Sequence, residues 1–409
     1  MTAVLLSPLY LLFILYLLRW LFRWFGVLSP WFGRKAFQIP FAMVYLFVAG
    51  SLVLSFLIKE NPWHWALKNL SNYWLGVLLY TALIVLVADI LRLIFKYGIL
   101  RYTHWIRPER YSARKVFLVS GGIILLSIAG ISTYGVFHAS DTQKTVYELT
   151  LPKACAAGKE LTIALAADLH LGYNITNSHM EKMVEMINSM EPDLVCIAGD
   201  IFDNEFDAIY DPERVSATLR QIQSRYGVYA CYGNHDMDES NLAGFTFAGE
   251  GAEDDRRMRE FLRHSNIQLL SDEAVCVDDA FYLIGRKDYS RSRKLKDPRL
   301  TPEQLTASLD QEKPVIVLDH QPRELQELAD AGVDLDLSGH THDGQMFPGN
   351  LITKFYWENP CGLLEKDGMY SVVTSGVGLW GPNMRVGTDS EVVEIRVKFV
   401  GGGETEKNS

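Results

Sequence analysis

The chain has 409 residues, 48% of them hydrophobic, and a formal net charge of −10. The average conceals a division: 13 of the 39 Lys+Arg lie up to Phe137 against three acids, whereas the remainder carries 26 basic and 46 acidic residues. An apolar, basic first third ahead of an acidic remainder reads as a membrane region plus a soluble domain, and the acidic balance of that domain argues against nucleic acid as a partner.

The first third holds four apolar stretches, residues 3–28, 36–58, 73–95 and 116–137, each long enough for a bilayer, which takes about 20 helical residues. The first lacks a basic leader and its apolar core is too long for a cleaved signal, so it reads as a retained span. Arg19 and Arg23 can extend to the headgroups, with Trp20, Trp24 and Trp31 suited to the interface. The first connection carries Arg34 and Lys35, and the third carries Lys96, Arg101, Arg107, Arg110, Arg114 and Lys115. The second offers only Lys59 and Lys68, offset by Glu60. Positive-inside bias puts the first and third connections in the cytoplasm. An integral, multi-pass protein of the cell membrane is expected, with its soluble domain extracytoplasmic. Asp89, with Arg92 three residues on, fits a local ion pair, and no polar pathway of the kind a transporter needs is evident.

Residues 1–138 thus read as the transmembrane region, 139–158 as a linker, 159–400 as the soluble domain and 401–409 as a disordered tail. Within the domain, short apolar runs each end in a polar cluster. Run 161–167 leads into Asp168-Leu169-His170, run 194–198 into Gly199-Asp200, and run 228–232 into Gly233-Asn234-His235-Asp236. Run 315–318 leads into Asp319-His320-Gln321-Pro322, and run 333–337 into Ser338-Gly339-His340-Thr341-His342. Met180, Met183, Val184 and Ile187 form a helical face between the first two runs, and a second helical pattern over 212–226 precedes the third. Strands alternating with helices predict an α/β core with largely parallel pairing, whose ligands gather at the carboxyl ends of strands. Runs 370–375 and 391–399 predict strands of a second sheet. All five cysteines lie in this part; Cys196 and Cys231 read as small buried hydrophobes, and a Cys155–Cys361 bridge stays open.

Asp168, His170, Asp200, Asn234, His235, His320, His340 and His342 stand at these strand ends and include five of the ten histidines. Singly, a strand-end Asp caps a helix and a lone His is more often structural. Five strand ends in succession that all supply metal-competent donors go beyond that explanation. Carboxylate, imidazole and amide oxygen together suit a pair of divalent transition ions such as Mn, Fe or Zn.

The series from Asp168-Leu169-His170 to His340-Thr341-His342 resembles the signature of the calcineurin-like metallophosphoesterase superfamily, over about Leu161 to Val397. The resemblance implies a four-layer α-β-β-α sandwich, here preceded by an all-α four-helix transmembrane region. It implies that Asp168, His170, Asp200 and His342 hold one metal ion, and that Asp200, Asn234, His320 and His340 hold the second, with Asp200 shared. It makes His235 the catalytic histidine, an acid or electrostatic stabiliser facing the substrate phosphate, with Asp236 orienting it. The implied reaction is hydrolysis of a phosphate ester by a metal-bridged hydroxide, with no Ser or Cys nucleophile.

The run from His340 to Gln345, the aromatic-rich segment after it and residues 374–382 are similar to a membrane-associated bacterial branch, in which Gly is more frequent at the place of Asp343. Trp357, Trp380, Asn383 and Arg385 fit either a substrate entrance or the packing of a glycine-rich loop. The charged stretch 238–263 fits a cap or a solvated surface. Anchoring points to membrane lipids as partners, and to a phosphodiester or pyrophosphate substrate that is lipid-linked or envelope-derived. The alternative is a non-catalytic membrane scaffold or a phosphate or metal sensor, against which stands the complete set of donors.

Overall fold

Four long helices carry the apolar first third: α1 (Thr2–Leu28), α2 (Lys35–Leu57), α3 (His64–Ile94) and α4 (Ala113–His138). The structure, a computed structural model, describes residues 2–58, 63–95, 97, 112–238, 241–242, 245–246 and 255–401. Lys59, Glu60, Lys96, Arg101, Arg107, Arg110, much of the stretch 238–263 and the tail from 402 onward lie outside the described residues. The chain divides into two units, Met1–Tyr134 and Gly135–Ser409.

In the first unit, all four helices are long and apolar enough to cross a membrane. Helix α3 begins nine residues before the expected position 73. Its first turns are polar, and hydropathy alone does not mark them, but Lys68, Ser71 and Asn72 are buried within the unit. Three tyrosine and tryptophan hydrogen bonds tie α1 to α2 and α3. Tyr10 donates to the Ala49 carbonyl at 2.6 Å, Tyr45 to the Ile14 carbonyl at 3.1 Å, and Trp74 Nε1 to the Tyr10 hydroxyl at 2.9 Å. Such bonds hold helices together where lipid removes the hydrophobic drive between them.

In the second unit, the first sheet is formed by β1 (Thr142–Leu151), β2 (Glu160–Ala166), β3 (Leu194–Ala198), β4 (Val228–Cys231), β7 (Ile267–Leu269) and β14 (Ser390–Phe399), in the order β1-β14-β2-β3-β4-β7. A two-residue ribbon, β5 (Asn241–Leu242) and β6 (Phe245–Thr246), precedes β7. The second sheet contains β8 (Glu273–Val277), β9 (Phe281–Gly285), β10 (Val315–Leu318), β11 (Leu335–Ser338), β12 (Gly362–Lys366) and β13 (Met369–Val373), in the order β12-β13-β11-β10-β9-β8. Both mix parallel and antiparallel pairs.

The period-two alternation of the strands builds the layers. Ile163, Leu165 and Cys196 meet Leu283, Ile316, Leu318 and Leu337 between the sheets. Ala164, Ala166, Val195 and Ile197 point the other way, onto α5 (Asn177–Ser189), α6 (Pro212–Leu219) and α7 (Arg256–His264). Ile284, Val315 and Val317 cover the far face together with Leu305 and Leu328 of α9 (Pro302–Thr306) and α10 (Leu325–Asp330), while α8 (Tyr289–Leu295) follows β9. This is the expected four-layer α/β arrangement.

The stretch expected as a linker, 139–158, instead contains β1, which runs parallel to β14 from Thr142↔Ser390 to Leu151↔Phe399. Only one face of this edge strand carries apolar residues towards the core, Tyr147, Leu149 and Leu151, so its alternation is short and easily read as connection. All five cysteines are free, and Cys196 and Cys231 are buried as expected.

One buried carboxyl makes this core sensitive to pH. Asp336, inside β11, accepts from Ser371 Oγ at 2.9 Å and from Ser338 Oγ, and burial followed by the nearby Asp319 pushes it up to about 7. The unfolded carboxyl titrates near about 3.9, so the folded state resists ionisation and stability is lost as pH rises from there through 7. Asp336→Asn removes that loss: the thermal midpoint of the purified variant is expected to gain on wild type between pH 4 and pH 7, and parallel curves would refute it.

Candidate metal centre

The carboxyl ends of β2, β3 and β4 meet those of β10 and β11, and the backbone there is bent sharply. Gly199 ends β3 with φ +75°, where a Cβ would stand 2.7 Å from His320 Nδ1, so glycine is required both by conformation and by space. Asp168, His170, Asp200, His340 and His342 also adopt positive φ, an uncommon state for non-glycine residues that concentrates at functional sites. Backbone bonds between the bends fix them: Asp168 N donates to the Gly199 carbonyl at 2.9 Å, His170 N to that of Asp200 at 3.0 Å, and Gly339 N to that of His320 at 3.0 Å.

Among the described residues, two of the three donor groups that result hold the expected ligands. In the first, His170 Nε2 and His342 Nε2 face each other at 3.1 Å, with Asp168 Oδ1 3.6 Å from His342 Nε2. In the second, Asp200, His320 and His340 converge, and Asn234 Oδ1 stands 3.1 Å from His320 Nε2. Asp200 Oδ2 lies 3.1 Å from His320 Nε2 and 3.9 Å from His170 Nε2, so it faces both groups. All seven expected ligand residues are therefore brought together.

The proton inventory says what this cluster suits. His320 Nδ1 donates to the Ala198 carbonyl at 2.9 Å, so the neutral ring turns a lone pair from Nε2 towards Asp200 Oδ2, Asn234 Oδ1 and His340 Nδ1, each at 3.1 Å. A proton satisfies one of these pairs and leaves the others as opposed lone pairs, whereas a cation satisfies all of them. Burial works against charge on His320, yet Asp200 and Asp168 outweigh it and push the ring well above its ordinary value. Against its own burial, Asp200 is held well below the usual carboxylate range by His320, His235 and His170. His340 and His342 are depressed, first by burial and then by His320 or His170, and so stay neutral with lone pairs available. The donor set fits divalent cations.

His235 stands beside this cluster. Its backbone N donates to Asp200 Oδ1 at 2.7 Å, and its ring Nδ1 lies 2.6 Å from Asn204 Oδ1. Asp236 does not orient it. Its carboxylate accepts from the backbone N–H of Phe202 at 2.8 Å and of Gly233 at 2.6 Å, and so braces the loop instead. The groups set on His235 are Asn204 and Asp203, whose Oδ1 lies 3.7 Å from His235 Nδ1 and 3.6 Å from His170 Nδ1. Sequence reading missed both, although they close the polar half of the run that begins at Gly199-Asp200.

The rim separates the four entrance candidates. Trp357 packs edge-on against His340, ring centroids 5.1 Å apart, and Arg323 stacks on Trp357 at 4.6 Å and on Tyr289 at 4.8 Å. Trp380 N donates to Gln345 Oε1 at 2.8 Å, and Asn383 is buried. Arg385 is wholly buried and donates to the carbonyls of His342, Ser375, Gly376 and Gly378, so it packs the glycine-rich loop.

The family model for calcineurin-like phosphoesterases matches residues 161–344. A Danio rerio transmembrane protein with metallophosphoesterase domain is 30% identical, over 97% of this chain and 90% of its own length. An uncharacterized metallophosphoesterase of Aquifex aeolicus is 31% identical over 63% of this chain and 91% of its length. One from Helicobacter pylori is 31% identical over 58% of this chain, which spans 60% of that protein. The likeness thus extends from bacterial proteins to a vertebrate one. The chain belongs to the calcineurin-like metallophosphoesterase family.

Proposed function

We propose that the chain is a membrane-anchored phosphoric ester hydrolase working with two divalent cations, Mn, Fe or Zn. Asp168, His170, Asp200 and His342 would hold one, and Asp200, Asn234, His320 and His340 the other. The observation that carries the reading is the convergence of these seven side chains on sites where lone pairs oppose one another. The chemistry such cations supply when bound is charge neutralisation at the phosphoryl oxygens and acidification of water.

The chain's own residues do the rest. Asp200, kept ionised, provides the shared negative charge. Asn204 holds Nδ1 of His235, which leaves Nε2 to meet the phosphate. Burial, reinforced by His170 and His320, lowers the free ring despite Asp200 and Asp203. An entering phosphate adds negative charge that raises it again, so the ring gains its proton alongside the substrate and donates it to the departing alkoxide. The preferred substrate class is a phosphodiester or pyrophosphate, lipid-linked or envelope-derived, because anchoring confines the enzyme to a membrane.

His235→Ala is expected to lose about 10²–10⁴-fold in turnover of an aryl phosphate ester while keeping its metal content, since it removes only the acid. Asp200→Asn loses both. Wild-type rates in the first variant, or full metal content in the second, would refute the assignments; kinetics and elemental analysis of the purified chain decide.

The basic first and third connections support an extracytoplasmic domain. An accessibility tag fused after Ser409 is expected to react with an impermeant reagent in intact cells. Reaction only after permeabilisation would reverse the topology.

A further inference from the structure

Residues 347–356 invert the usual rule of helix burial. Among the described residues from Gly135 onward, ten large hydrophobics are exposed, and five of them fall in this one stretch: Phe347, Leu351, Ile352, Phe355 and Tyr356. Helix α11 (Gly349–Tyr356) has no buried residue, and Phe355 and Tyr356 are 87% and 80% exposed. Leu351, Ile352, Phe355 and Tyr356 share one helical face, and that face points away from the domain. Asn350 and Thr353, on the other side, are the half-buried ones. A helix on a water-facing surface is arranged the other way round.

The place of this face in the fold indicates what covers it. Phe347 N donates to the Val386 carbonyl at 2.8 Å. On the other side of Val386, a Cβ on Gly135 would lie 2.7 Å from Val386 Cγ2, and Arg385 N donates to the Gly135 carbonyl at 2.9 Å. Gly135 belongs to the last turn of α4, an apolar helix of membrane-spanning length, and Phe137 in the same turn is 72% exposed. Phe347, two residues ahead of α11, and the end of α4 therefore flank the same residue. At its other end, α11 runs into Trp357, which packs on His340.

We propose that α11 and Phe347 lie in the lipid interface where α4 leaves the bilayer. Phe355 and Leu351 enter the boundary of headgroups and acyl chains, as the apolar face of an interfacial helix does, and Tyr356 and Lys354 sit at headgroup level. Because α11 is strung between His342 and Trp357, this seats the metal centre against phosphates carried by lipid headgroups rather than phosphates free in solution. The interface rests on α1–α4 being membrane spans, and its consequence for the substrate rests on the hydrolase reading.

The test uses the full chain reconstituted in phosphatidylcholine–phosphatidylglycerol vesicles that contain lipid with a nitroxide just below the headgroup. In a Cys155→Ser, Cys276→Ser, Cys361→Ser background, a nitrobenzoxadiazole label is placed through Phe355→Cys or, separately, Leu351→Cys. Tyr210→Cys, 82% exposed, is the water control, and Leu126→Cys, 75% exposed on α4, is the membrane control, read with a nitroxide deep in the acyl chain. Labels at 355 and 351 are expected to lose most of their emission to the shallow nitroxide, while the label at 210 keeps its own. If 126 is quenched and neither 355 nor 351 is, the inference fails and the spans stand. An unquenched 126 removes the spans and the inference together. A blue-shifted but unquenched 355 means that a second copy or another protein covers the face, which also overturns the proposal. Hydrolysis of a soluble aryl phosphodiester by the same proteins reports on the hydrolase reading separately.

Discussion

The site is organised around one buried carboxylate. Asp200 follows Gly199 in two successive positive-φ residues, and His235, His320 and His170 are tied to it. Its Oδ1 accepts the backbone N–H of His235, its Oδ2 faces His320 and His170, and its carbonyl accepts from His170 N. A carboxylate this deep is costly unless opposite charge is close by, and here three histidines, His320, His235 and His170, act on it. The charge therefore requires a cationic environment, and the fold supplies neutral ligands that can gather one. His340 and His342 stay neutral because burial and their neighbours forbid a proton.

Strain is the second constraint. A non-glycine residue held in an unfavourable backbone region costs about 1–3 kcal/mol, and five of the site residues adopt positive φ. Both sheets contribute the bonds that hold them there. Asp168 is fixed from the first sheet through Gly199, and from the far loop by Gly378 N, which donates to its carbonyl at 2.8 Å; Asp168 Oδ2 in turn accepts from His340 N at 2.9 Å. These bonds hold the donors in a fixed mutual arrangement, the kind of support that a binding site needs from its surroundings.

The strand ends were legible because each is a local event: an apolar run, then a donor, either at once as at Asp168 or after Gly or Ser as at Asp200. The layers were legible for the same reason, since Ile163 and Leu165 alternate with Ala164 and Ala166. What escaped was non-local. β1 carries too few apolar residues to look like a strand until β14, some 240 positions on, pairs with it. Asp236 stands next to His235 in the chain, yet its carboxylate turns to Gly233 and Phe202, while Asn204, more than 30 residues earlier, reaches the ring. Adjacency in sequence says little about which way a side chain turns from a tight loop.

Arg385 shows how such remote placement joins the two halves of the problem. Burial drives its pKa down to about 10, but the guanidinium, always charged at neutral pH, spreads its donors over carbonyls of His342, Ser375, Gly376 and Gly378. The last three of those carbonyls belong to the loop that closes over Asp168, at Gly376, where a Cβ would meet Asp168 Cβ at 2.7 Å. The backbone N of the same residue caps the last turn of α4 through Gly135. One buried cation therefore fixes the loop against the first donor group while its own peptide fixes the end of an apolar helix. The helix end is reached from residues 376–378 over this single residue, by side-chain hydrogen bonds on one side and a backbone hydrogen bond on the other. Loop 376–378 and the helix end at Gly135 are accordingly held from the two ends of a single residue, its guanidinium and its peptide, within the second unit.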